Sequence, residues 1–81
     1  MTRKFNCAFL NTKQALLEQF ADIFDEMYSL NYDAWEDVAT CCKEDMTWEF
    51  ENIESYENPD LLREILQSIT SQNPHITVLG I

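Results

Sequence analysis

The chain has 81 residues, with 15 Asp and Glu against 5 Lys and Arg, for a formal net charge of -10. That length holds one domain, residues 1–81. An apolar share of 46%, with two Trp, three Tyr and five Phe, is enough for a core and argues against wholesale disorder. The acidity argues against direct contact with nucleic-acid backbones or an anionic membrane. A domain this small buries only about 60–65% of its unfolded-chain surface, so a partner or a second copy supplies contacts it lacks.

The charge is unevenly placed. Residues 1–17 carry Arg3, Lys4 and Lys13 and no acid, residues 18–64 carry every acid, and residues 65–81 carry only His75 as a titratable side chain. Cys7, Cys41 and Cys42 are an odd set with an adjacent pair, a poor disulfide framework. Reduced thiols in an intracellular, cytoplasmic setting are the expectation. No Cys or His spacing suits zinc, and no metal or cofactor is expected. The chain lacks a run of about 18 apolar residues for a membrane span and the apolar stretch of a signal peptide. Its single glycine, Gly80, excludes a glycine-rich phosphate loop.

In chain order, residues 1–11 read as an irregular arm. Asn11 with Gln14 resembles a capping box and predicts a helix from near Thr12. Leu16, Phe20, Ile23, Phe24 and Met27 form its apolar face, and it ends near Tyr28–Leu30. Asp33 with Glu36 reads as a second capping box, opening a short helix with Trp35, Val38, Ala39 and Cys42 on its apolar stripe. At Met46-Thr47-Trp48-Glu49-Phe50-Glu51 the period falls to two, which predicts a half-buried strand. A polar connection spans residues 52–57. Asn58-Pro59-Asp60 is a strong helix start, continued by Leu61, Leu62, Ile65, Leu66 and Ile69 and ended by Asn73-Pro74. Residues 75–81 read as a last strand. The predicted core is Leu16, Phe20, Phe24, Met27, Trp35, Val38, Trp48, Phe50, Leu62, Ile65, Leu66, Ile69, Ile76 and Val78.

This order, with Leu30-Asn31-Tyr32-Asp33-Ala34-Trp35 after a long helix and Glu44-Asp45-Met46-Thr47-Trp48-Glu49-Phe50 as first strand, resembles the N-terminal part of the nuclear transport factor two-like superfamily. That group includes the SnoaL-like cyclases and ketosteroid isomerase. The likeness spans residues 12–81, and the family's later strands have no counterpart here. It implies an α+β fold, three helices on a small curved antiparallel or mixed sheet, as a truncated cone. It also implies a pocket near Phe20, Phe24, Trp35, Trp48 and Phe50 for an apolar small molecule. The position of the isomerase's catalytic base aligns with Phe50, which cannot move a proton, so no catalytic residue is carried over.

Three readings of function follow. The first is a non-catalytic interaction domain acting as a homodimer, as part of a longer domain or with another protein. Its contact is the uncharged C-terminal strand, through Ile76, Val78, Leu79 and Ile81, where no Lys, Pro or bulge blunts the edge. The second is a SnoaL-like isomerase, cyclase or dehydratase. The third is an acidic inhibitor of a basic protein cleft, using the acids from Glu18 to Asp60.

Overall fold

The computed structural model describes residues 1–24 and 31–81. The elements are β1 (Thr2–Asn6), α1 (Lys13–Phe24), α2 (Tyr32–Cys41), β2 (Met46–Glu51), a 3-10 turn (Ile53–Ser55), α3 (Pro59–Gln72) and β3 (Ile76–Leu79). Three helices thus meet a three-stranded sheet, ordered β1-β2-β3. The predicted end of the first helix, and Met27 in its core face, lie outside the described residues.

Two expectations are corrected. The sheet is wholly parallel, not antiparallel or mixed: β2 pairs with β1 from Thr2↔Thr47 to Asn6↔Glu51, and with β3 from Met46↔Ile76 to Glu49↔Leu79. The helix at 59–72 carries the chain back to its starting edge, so β3 follows β2 in the same direction, as a crossover connection requires. Residues 1–11, read as an arm, contain β1. Its register sets Phe5 beside Phe50, and the Cys7 N–H donates to the Glu51 carbonyl at 2.9 Å.

Parallel sheets are usually covered on both faces, whereas this one is covered on one. Met46, Trp48 and Phe50 are buried beneath the helices. The other face carries Lys4, Glu49, Thr77 and Leu79, with Lys4 and Glu49 forming a 3.9 Å ion pair between exposed groups, a contact of about 0–1 kcal/mol.

The core is a run of aromatic contacts. Phe20 of α1 lies 4.6 Å from Phe5, 4.6 Å from Trp35 and 4.7 Å from Trp48 between ring centroids. Of the predicted core, Leu16, Phe20, Trp35, Trp48, Phe50, Leu62, Ile65, Leu66, Ile69 and Ile76 are buried, while Phe24 and Val78 are partly so. Val38 is half-buried and takes its place in a groove instead. Phe5, Cys7, Leu17, Ala39, Met46, Ile53 and Tyr56 complete the core. The last two come from the segment read as a polar connection.

Helix starts are set by side chains. Asn58 caps α3, accepting from the Leu61 N–H at 3.3 Å, with Pro59 in the first turn, as predicted. The cap of α2 is Asn31 rather than Asp33, its side chain accepting from the Asp33 N–H at 2.8 Å. For α1 the accepting hydroxyl is that of Thr12, 3.2 Å from the Ala15 nitrogen. Gln14, expected to reach back, bonds Glu18 instead.

Asn73, the one buried polar residue among those described, does more than stop α3. Its amide donates to the carbonyls of Ala39 and Cys42, at 2.8 and 2.7 Å, satisfying the open C-terminal end of α2. Its oxygen accepts from the His75 N–H at 3.0 Å, aiming the chain into β3.

Candidate functional site

The helices pack side by side, with α2 between α1 and α3: α2 touches both, and its Trp35 and Ala39 point into the core. The outward side of α2 is therefore the middle of the helical face. Asp33 and Asp37 stand there, both exposed and one turn apart, with Glu36 alongside them. The Glu36 carboxylate accepts from the Ser68 hydroxyl at 2.6 Å, tying α2 to α3. Among the described residues Asp33, Glu36 and Asp37 form no ion pair.

The pattern repeats on the neighbours. Glu18 and Asp22 on α1, and Asp60 and Glu64 on α3, are exposed carboxylates with the same four-residue spacing. Two described cations at the borders of this face are engaged elsewhere. Arg63 bonds Glu54, Asp60 and the Ile81 carbonyl, and the bond to Glu54 above all holds its guanidinium protonated beyond its ordinary range. The Lys13 ammonium lies 5.4 Å from the centre of the Tyr32 ring. Asp33 gains from the positive end of its helix. Asp37, beyond the first turn, has no such offset, and like charges four residues apart cost a helix about 0.2–0.5 kcal/mol.

Beside Asp37 runs an open, mainly apolar groove of about 410 Å³, lined by Phe24, Asp37, Val38, Cys41 and Cys42. It combines one carboxylate with apolar walls, a setting suited to the stem and charged head of a Lys or Arg. At the top of α2 the Tyr32 and Tyr56 hydroxyls are 2.7 Å apart. Burial pushes both phenols up, and for Tyr56 the bond to Tyr32 and the charge of Glu57 add to it.

The residues expected to line a pocket are brought together as core. Phe20, Trp35 and Trp48 are fully buried against one another and Phe50 nearly so. Of the five, Phe24 alone lines the groove. The expected interface residues are spread by depth: Ile76 is buried, Val78 and Ile81 are half-buried, and Leu79 is 48% exposed. Among the described residues, no three metal-ligating side chains gather and no helix is long and apolar enough to cross a membrane. Comparison with protein-family models, curated proteins and solved structures finds no match to this chain.

Sequence reasoning named the acids but missed their centre. The signal was the spacing of Asp33 and Asp37 around Trp35, which fixes them opposite the buried side of the helix.

Proposed function

We propose that this chain is a non-catalytic binding module that docks the acidic face of α2 onto a basic cleft of another protein. The observation that carries the reading is the position of Asp33 and Asp37. They are exposed at the middle of the helical layer, without an ion pair among the described residues, and repel one another across one helical turn. Such a patch steers association with a positive surface and supplies acceptors for its Lys and Arg side chains. The groove beside Asp37 receives the aliphatic stem of one of them. This reading rests on the surface chemistry and not on the likeness to the nuclear transport factor two group.

The immobilised chain, exposed to an extract of the cells that make it, is expected to retain a protein with a cluster of Lys and Arg. The purified pair is then titrated by calorimetry in about 0.05 M and about 0.5 M salt, where the Debye length falls several-fold. Affinity is expected to drop at least tenfold across that range. A partner without a basic cluster, or an affinity indifferent to salt, overturns the proposal.

A further inference from the structure

The two rims of the sheet differ. A parallel strand turns the backbone groups of successive residues to alternate sides. The Met46 N–H donates to the His75 carbonyl at 2.9 Å, so His75, Thr77 and Leu79 face β2 while Ile76 and Val78 face outward. The Ile76 N–H turns back to the Asn73 carbonyl at 3.3 Å. The N–H and C=O of Val78 are left on the open rim. On the opposite rim the same argument turns Thr2 and Lys4 outward from the Met1 carbonyl bound by Thr47. There the Lys4 side chain, 71% exposed, guards the edge. β3 has no charge, proline or bulge, and its Leu79 is 48% exposed.

The surroundings of this rim also differ from the rest of the surface. Ser68 faces α2 through its bond to Glu36. The helical period then turns Arg63, Gln67 and Thr70 to the far flank of α3, along β3, where the Arg63 guanidinium reaches the Ile81 carbonyl at 3.0 Å. Among the described residues, the carboxylates placed here are Glu54 and Asp60, both partners of Arg63, and Asp45 beside the start of β3, which bonds His75 at 2.8 Å. In a chain of net charge -10, this is where two copies approach with least repulsion.

We propose that a second copy of this chain pairs with the open rim of β3. The two β3 strands run antiparallel about a two-fold axis at Val78 and extend the sheet from three strands to six. The register follows from the geometry. With Val78 opposite its counterpart, the outward N–H and C=O of each copy satisfy those of the other, and Thr77 lies beside Leu79 of the second copy. A four-residue edge with one helix flank falls short of the roughly 800 Å² per partner of stable complexes, so the dimer is concentration-dependent. It leaves the outer side of α2 free.

Sedimentation equilibrium over a wide range of concentration, in about 0.05 M and about 0.5 M salt, tests this. Salt is expected to strengthen the dimer by screening two like-charged bodies, the reverse of its effect on docking to a basic cleft. Val78→Pro removes an N–H that the fold does not use, and Leu79→Lys charges the rim without touching the core. Both are expected to stay monomeric at concentrations where the parent chain is dimeric, with an unchanged circular dichroism spectrum. A parent chain monomeric at every concentration and salt, or a folded Leu79→Lys variant that dimerises as strongly as the parent, overturns the proposal.

Discussion

The hydroxyl of Tyr32, in the first turn of α2, is hydrogen-bonded at 2.7 Å to that of Tyr56, in the segment between β2 and α3. The bond fixes the end of α2 that carries Asp33. It also makes stability sensitive to alkali. Both phenols ionise at higher pH in the folded chain than the usual value near 10, chiefly through burial. The folded state therefore holds protons that the unfolded state has lost, and stability falls as pH rises above about 10 while staying flat for these groups below it. Tyr56→Phe is expected to cost about 1 kcal/mol at neutral pH and to flatten that alkaline decline. Urea unfolding at pH 7 and pH 10.5 measures both; an equal decline in parent and variant would contradict the account.

Asn73 joins the ends of α2 and α3 to the start of β3 through three hydrogen bonds. Asn73→Ala removes an amide donor from the half-buried Cys42 carbonyl and from the Ala39 carbonyl, which keeps the Cys42 N–H at 3.3 Å, and is expected to cost about 1–3 kcal/mol. Hydrogen exchange of β3 amides is expected to accelerate with it. A loss below about 0.5 kcal/mol would show that these bonds do not hold the elements together.

The three thiols are expected to react in order of exposure. Cys41 is exposed, Cys42 intermediate and Cys7 fully buried, with burial raising the Cys7 thiol above its ordinary range. Timed alkylation of the native chain followed by peptide mass analysis is expected to label Cys41 first, and Cys7 only when the chain unfolds. Early labelling of Cys7 would contradict its place between β1 and the helices.

Helix positions and β2 were legible because their apolar residues repeat with the period of the element. β1 was not: of Thr2-Arg3-Lys4-Phe5-Asn6 only Phe5 is buried, and one buried residue makes no alternation. Its strand character comes from pairing with β2, a tertiary effect. The parallel direction was hidden by the alternation of β2, which suggests a sheet wet on one side and hence an antiparallel one. The helix between β2 and β3 carried the contrary signal. At the caps, Asn11 and Asp33 were plausible residues standing one and two positions from the ones that bond. In the acidic site the carboxylates were plain, but their centre depends on α2 lying between α1 and α3, which no local pattern records.

The central claim is that Asp33 and Asp37 serve binding. The most direct measurement is the affinity of the Asp33→Asn, Asp37→Asn double variant for the captured basic partner, set beside its unfolding free energy in the same buffer. The account predicts affinity weaker by at least about thirtyfold, near 2 kcal/mol, with stability within about 0.5 kcal/mol of the parent, since the helix-end interaction lost at Asp33 offsets the repulsion relieved between the two carboxylates. An affinity within twofold of the parent, or an equal loss from Asp60→Asn with Glu64→Gln, would contradict it.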